Sequence, residues 1–363
     1  MAYVNLVGGQ DDLVFDGDSF IVSASGTLLA RGERFTEDLL IHDVKTSEAK
    51  PYLRNQVAGL SLIETDRVSV ARRSDPPQRT IGGVDDSLGD IWKALVLGLR
   101  DYVNKNGFPS VILGLSGGID SAVCASLSVD AIGPERVFGV SMPSKYSSDH
   151  SQDDAHDLAT RLGVDIRVEP IAGMVQPIET QLLLADLAAE NLQARMRGVI
   201  LMSLSNAEGH LVLTTGNKTE IAVGYSTIYG DSVGGFAPLK DVPKTLVWQL
   251  ARWRNAEALR SGETPPIPEN SITKPPSAEL RPGQIDQDSL PPYEILDAIV
   301  DAYVTHNKSA DDIVRVGFDQ ATVDRVIGLI RRSEWKRRQG AIGPKISEMA
   351  FGRDRRLPIT SAH

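Results

Sequence analysis

One stretch of the chain has residue types in an order able to grip an anion. Leu115-Ser116-Gly117-Gly118-Ile119-Asp120-Ser121 lies between an apolar run, Val111-Ile112-Leu113-Gly114-Leu115, and an amphipathic helical pattern. The paired glycines let the backbone bend close to a bound group. The successive N–H groups and the N-terminus of the following helix turn positive potential toward it. Ser116 and Ser121 add hydroxyl donors. Asp120 would be repelled by a bare polyphosphate, so its place in the loop makes chemical sense with a divalent metal between the two. The stretch is not a Gly-x-x-x-x-Gly-Lys-Ser/Thr loop, because no lysine follows. Without its flanks the same pair of glycines would be a plain strand-to-helix turn.

Such a loop needs a sheet edge to stand on, and the pattern on both sides supplies one. A helix is expected from Ser87, with Ser87-x-x-Asp90 as a capping box and Leu88, Ile91, Trp92, Leu95, Leu99, Tyr102 and Val103 at helical spacing, until Asn106-Gly107 stops it. Strands are then expected over 110–115, 136–142, 164–169 and 210–213. Helices fill 119–131, 149–162 and most of 175–205. This alternation predicts an α/β fold, a parallel sheet with right-handed crossovers and helices on both faces. The loop then falls at the C-terminal edge of the sheet, the usual ligand crevice.

Ahead of this region the chain is β-like. Short strands are expected over 13–15, 19–24, 27–30 and 39–41, punctuated by Asp16-Gly17, Gly26 and Gly32-Glu33. Residues from about 44 to 86 read as a linker, with Pro51, Asp75-Pro76-Pro77 and Gly82-Gly83. The organisation expected is a β-rich segment over 1–50, a linker over 51–86 and the main domain over 87–363. Further on, eight prolines between Pro265 and Pro292 leave no periodicity. That span is either a loop covering a site or a linker before helices at 293–304 and 321–331. The basic residues Arg331, Arg332, Lys336, Arg337 and Arg338 are a solvated helix end or a hold for a phosphate-bearing ligand.

Composition narrows the function classes. The chain has 363 residues, 38 basic and 48 acidic side chains, and a net charge of −10. An acidic balance argues against a general nucleic-acid or membrane binder. Hydrophobic residues at 41% fit a folded globular protein. A single cysteine, Cys124, excludes a disulfide framework and a cysteine zinc cluster, and the six histidines show no metal spacing. With no signal peptide and no bilayer-length apolar run, the expected location is cytoplasmic.

Ser-Gly-Gly-x-Asp-Ser resembles the signature of the ATP pyrophosphatases, in which the loop grips the outer phosphates while the α-phosphate is attacked. Further motifs choose among them. Asn191-Leu192-Gln193-Ala194-Arg195-Met196-Arg197, Leu213-Thr214-Thr215-Gly216-Asn217-Lys218-Thr219-Glu220, Tyr229-Gly230-Asp231 and Gly234-Gly235-Phe236-Ala237-Pro238-Leu239-Lys240-Asp241 with Lys244-Thr245 are similar to NAD synthetases. They fit the glutamine-dependent branch better than the ammonia-dependent one. The resemblance implies a Rossmann-like, adenine nucleotide alpha hydrolase-like fold. It also implies ATP-dependent amidation of deamido-NAD to NAD+ through an adenylate, releasing AMP and pyrophosphate.

Residue by residue, it implies that Gly114, Leu115, Ser116, Gly117, Gly118, Ile119, Asp120 and Ser121 bind ATP with Thr215, Lys244 and Ser277. Asn191, Arg197, Glu220, Asp231 and Lys336 would bind deamido-NAD. Asp120 and Glu220 would hold Mg2+, and Asp120 and Asp231 would be the catalytic residues. The Pro-rich span would be a mobile cover. Two departures fall at Ile228, where the ammonia-dependent branch has a substrate-binding lysine, and Trp335, where it has histidine. Each role also has a plain competitor: Glu220, Arg197 and Lys244 as solvated charges, Asp231 as turn chemistry, Cys124 as a small core residue.

The opening run Asn5 to Ser19 resembles the closing part of a nitrilase-type glutaminase domain, and equally any hairpin with an Asp-Gly turn. On the first reading the Glu, Lys and Cys of that glutaminase are not in this chain, so free ammonia, or a separate glutaminase half, would supply nitrogen. The resemblance also implies a homo-oligomer, at least a dimer. The alternatives are a tRNA-modifying ATP pyrophosphatase, which wants a basic RNA-binding face, and an inactive remnant that only binds nucleotide.

Overall fold

Apolar strands bounded by glycine and amphipathic helices alternate as expected in the computed structural model, which describes residues 1–43 and 86–360. The expected linker lies almost wholly outside the described residues. The chain divides into two compact units, one of residues 1–7 and 15–85, the other of 8–14 and 86–363.

In the first unit, β1 (Ala2–Tyr3), β4 (Phe20–Val22) and β5 (Leu28–Arg31) form an antiparallel sheet in the order β1-β4-β5. Tyr3 stacks on Phe20 at 5.1 Å between ring centroids, and Arg31 forks onto Asp18. The strand expected over 39–41 does not form: Leu39 and Ile41 are exposed and bury no face. β2 (Val7–Gln10) and β3 (Leu13–Asp16) pair with each other. Gly9 of that ribbon, in the second unit, donates its N–H to Asp101 at 2.7 Å and accepts from Lys105 Nζ at 2.7 Å.

The second unit opens with α1 (Ser87–Lys105). Asp86, not Ser87, is its N-cap, so the capping box expected from Ser87 does not form there. β6 (Val111–Gly114), β7 (Val137–Ser141), β8 (Asp165–Val168) and β9 (Leu211–Val212) form an all-parallel sheet in the order β8-β7-β6-β9. The first crossovers wind one way from β6, and β9 returns to its other side. The strand order therefore reverses between β6 and β9, the topological switch point where α/β sheets bind ligands.

Side chains alternate across the sheet as period-2 strands require. Val111, Leu113, Val137 and Leu211 pack under α1, α2 (Ile119–Ile132) and α3 (Asp149–Leu162). Ile112, Val140 and Val212 pack on the other face, against α4 (Ala172–Leu182) and α5 (Asp186–Glu208). The long helical region is thus two helices, broken where Leu183 takes a left-handed conformation, φ 52°.

The remaining helices are α6 (Lys218–Val223), α7 (Lys244–Arg260), α8 (Glu269–Thr273), α9 (Tyr293–Val300), α10 (Ala310–Arg315), α11 (Gln320–Arg332) and α12 (Glu334–Arg337). α9 gives way to a π-helical turn over Asp301–Thr305 instead of continuing as α-helix. Ala222, Leu296, Ile299, Val323, Val326 and Ile330 make a separate apolar cluster beneath α6. Among the described residues no helix is long and apolar enough to cross a membrane.

Candidate active site

The phosphate-loop motif leaves β6 and enters α2 at the switch point. Gly117 sits at φ +72°, and a Cβ there would lie 2.3 Å from the carbonyl oxygen of Ser151 on α3. Only glycine allows this approach. Ser121 Oγ donates to Gly118 O at 2.9 Å, and Ser116 Oγ accepts from Gly118 N at 3.2 Å, so the hydroxyls brace the bend.

Across the switch point, Thr214, Thr215 and Gly216 follow β9 and lead into α6, whose N-cap is Asn217. A capping box closes there: Glu220 N donates to Asn217 Oδ1 at 3.0 Å and Asn217 N to Glu220 Oε2 at 3.3 Å. Asn217 Nδ2 also donates to Asp120 Oδ1 at 2.9 Å. The two carboxylates are thereby fixed side by side, although 100 residues separate them in sequence. Lys244, at the start of α7 and almost fully buried, donates from Nζ to Asp120 Oδ2 and lies 3.4 Å from Glu220 Oε1. Burial works against the Lys244 ammonium, yet the charges of Asp120 and Glu220 hold its pKa above the ordinary value. Burial, then the adjacent Asp120, push the Glu220 carboxyl upward, against the pull of Lys244.

These groups line one cavity of about 340 Å3, within the range of small-molecule sites. Gly114, Leu115, Ser116, Gly118, Ile119, Asp120 and Ser121 stand on its wall with Thr215, Glu220, Lys244 and Ser277. Arg197, Asp231 and Lys336 line it as well. Gly117 is turned toward α3 instead. Asn191 stands off the wall, where its Oδ1 accepts from Thr227 Oγ1 at 2.7 Å and so supports the loop that carries Asp231.

Asp231 is exposed as a residue, but its Oδ1 turns inward and accepts from Thr227 N at 2.6 Å. Desolvation by the surrounding protein pushes its carboxyl up to about 6, against the lowering effects of the Thr227 N–H, Lys336 and Arg197. Arg197 donates Nε to Met142 O at 3.1 Å, and burial lowers its pKa while Asp231 and Glu279 raise it. Lys336 Nζ is held by the carbonyls of Gly224 and Ser226 at 2.8 and 2.7 Å.

The Pro-rich span resolves to a wall of this cavity rather than a linker: residues 274–280 line it. Polar contacts fasten that wall to α3 and the phosphate loop. Asp154 accepts from Asn270 Nδ2 at 2.7 Å and Lys274 Nζ at 2.8 Å, Gly117 O accepts from Ser271 Oγ at 3.0 Å, and Glu279 accepts from Ser151 Oγ at 2.7 Å. Ser277 Oγ donates to Gln284 O at 2.6 Å within the wall. Ile228 lines the cavity, and Trp335 is exposed beside Lys336.

Asn217 is the residue that sequence reasoning left without a role, although Asn-x-x-Glu is a capping signature. Asp286, a buried wall residue that accepts from Tyr293 Oη at 2.6 Å, carried no signal within its aperiodic surroundings. Cys124 is fully buried, with its thiol pKa raised by desolvation, as a core residue should be. Among the described residues no group of three or more His, Cys, Asp or Glu is arranged to hold a metal by itself. The pair Asp120 and Glu220 fits the manner of Mg2+, which takes one or two carboxylates and completes its shell with water and substrate phosphates. The crowding of their like charges is what a divalent cation would relieve.

The model of the NAD synthase family matches residues 91–340. The glutamine-dependent NAD(+) synthetase of Aquifex aeolicus is 48% identical over 376 residues, taking in 99% of this chain and 65% of its own length. A structure of glutamine-dependent NAD+ synthetase from Acinetobacter baumannii, in complex with ADP, is 44% identical with a TM-score of 0.65, covering 99% of this chain and 61% of that one. A glutamine-dependent NAD(+) synthetase structure from Cytophaga hutchinsonii, 20% identical, shares the fold with a TM-score of 0.76, over 99% of this chain and 63% of that one. The chain therefore spans less than two thirds of the length of these relatives. The stretch matched by the family runs from α1 through the phosphate loop, the Asp120–Lys244–Glu220 cluster and Lys336, and on that ground the chain belongs to the NAD synthase family.

Proposed function

We propose that the protein amidates deamido-NAD to NAD+ at the expense of ATP, releasing AMP and pyrophosphate through an adenylated intermediate. The observation that carries this is one cavity lined by two groups of charged side chains. The glycine-rich loop, Lys244 and the acidic pair suit a polyphosphate. Arg197 and Lys336, whose charges act on Asp231, suit an anionic substrate and a proton transfer. The ADP complex of the 44% identical relative supports the reading of the first group.

ATP lies with its outer phosphates against residues 114–121, and Thr215, Lys244 and Ser277 hold it in place. Asp120 and Glu220 would hold Mg2+, which would supply positive charge to offset that of the departing pyrophosphate. Arg197 and Lys336 orient the dinucleotide, with Asn191 bracing the Asp231 loop. The nicotinate carboxylate attacks the α-phosphate. Ammonia then attacks the acyl adenylate, and Asp231, ionised near neutral pH, accepts the proton this step releases. The side chains do little covalent work; positioning and charge stabilisation supply the rate.

Residues 1–50 are read as the end of a glutaminase domain, 51–86 as a linker and 87–363 as the synthetase domain. Ammonia is the nitrogen donor at this site, the protein acts in the cytoplasm, and it works as a dimer or larger homo-oligomer. The test is incubation with deamido-NAD, ATP and Mg2+, with either ammonium or glutamine. Equal amounts of NAD+ and AMP with ammonium, and none with glutamine, are expected. Pyrophosphate release that depends on tRNA would overturn the assignment. A single species at monomer mass in light scattering would remove the oligomer.

A further inference from the structure

We propose that Asp297, on α9 and outside the cavity wall, is a positioning residue for Lys244: its carboxylate supplies the N-cap that α7 lacks. α7 starts at Lys244 behind Pro243, whose side chain accepts no hydrogen bond, and its first turn has no acidic residue of its own. A helix start leaves its first N–H groups without intrahelical acceptors, and a negative charge there is favoured by the helix dipole.

Two other elements meet that need. Lys244 N donates to Thr219 Oγ1 on α6 at 2.9 Å, and Thr245 N donates to Asp297 Oδ2 at 2.8 Å. Thr245 Oγ1 donates to the same oxygen at 2.8 Å, while Thr219 Oγ1 donates to Asp297 Oδ1. One buried carboxylate thus receives three donors and closes a ring through Thr219, Lys244 and Thr245. Thr219 adjoins Glu220, and Lys244 reaches both Asp120 and Glu220. The ring therefore fixes the starting points of two of the three members of the charged cluster. A displacement of about 1 Å at such a cluster is enough to spoil its geometry. An asparagine at 297 would keep the shape but turn an N–H2 toward one of the donors, so the arrangement calls for a carboxylate.

This rests on the reading of the cavity as a nucleotide site. The test is titration of ADP with Mg2+ into the wild type, Asp297→Asn, Lys244→Met and the double variant, with melting temperatures taken in parallel. If Asp297 acts through Lys244, Asp297→Asn weakens ADP binding about tenfold beside a native Lys244 but under about twofold in the Lys244→Met background. The change in melting temperature on Asp297→Asn is the same in both backgrounds. Unchanged affinity in the single variant, or an undiminished loss in the double one, would overturn the proposal. A wild type that binds no ADP with Mg2+ would instead bring down the nucleotide reading itself. If Asp297→Asn does not fold, Thr219→Val breaks the same ring without removing a charge, and the same coupling decides.

Discussion

Asn217 is uncharged, yet it sets the distance between two carboxylates. Its Oδ1 caps α6 through Glu220 N, and its Nδ2 occupies one oxygen of Asp120. Serine at 217 would keep the cap, since serine is as good an N-cap, but would drop the bond to Asp120. Asn217→Ser is expected to shift the melting temperature little and to raise the Mg2+ concentration for half-maximal activity about 10- to 100-fold, as loss of a group supporting metal ligands does. A matching shift in the Mg2+ dependence of ADP binding would check this without turnover. Asp231 gives a second outcome at the same scale. Its carboxyl is pushed up to about 6, so it takes up a proton as pH falls through that value and can no longer accept one. The rate should fall about tenfold per pH unit below that point. Asp231→Asn should be slow and should lose this acid limb in a pH–rate profile.

Gly117 joins two elements by the absence of a side chain. Its φ of +72° and its 2.3 Å clearance from Ser151 O mean that alanine there must push α3 off the phosphate loop. Asp154 and Ser151 on α3 also fasten the wall over 270–279. Gly117→Ala should therefore weaken ADP binding and also open the 270–279 wall to limited proteolysis, whereas Gly173→Ala, with nothing within 4 Å, should do neither. The parallel sheet was legible in the sequence because β6, β7 and β9 are short, mostly apolar runs, while β8 alternates charged and apolar residues. The loop after β6 was legible because its glycines and serines are contiguous. The wall was not: its partners lie more than 100 residues away, as in Asn270 with Asp154 and Ser271 with Gly117. Period-based reading detects neighbours on one element, and proline removes even that signal. Residues 39–41 failed for the opposite reason, since an apolar run makes a strand only where a face awaits burial.

At the scale of the molecule, charge is distributed unevenly. The chain carries −10, while the cavity wall sets Arg197, Lys240, Lys244, Lys274, Lys336 and Arg337 against Asp120, Glu220, Asp231, Glu279 and Asp286. The wall is thus close to balanced before any ligand arrives, and a free nucleotide polyanion would tip it negative, next to two carboxylates already in contact with one lysine. On the proposed function, a cation accompanying the nucleotide would restore the balance. Binding should therefore be strongly cooperative between ADP and Mg2+, and this should be visible in global stability because the wall draws on β6, β7, α2, α3, α5, α6 and α7 together. A ligand held only by the folded state at 100 times its dissociation constant adds about 2.7 kcal/mol. For a unit of this size that amounts to a rise of roughly 5 °C in melting temperature. ADP with Mg2+ should produce such a rise, while ADP with a chelator, or Mg2+ alone, should give little. Asp120→Ala should abolish the difference between ADP with and without the metal. Equal shifts for ADP in the presence and absence of Mg2+ would show that Lys244 alone answers the phosphates and that the acidic pair has another task.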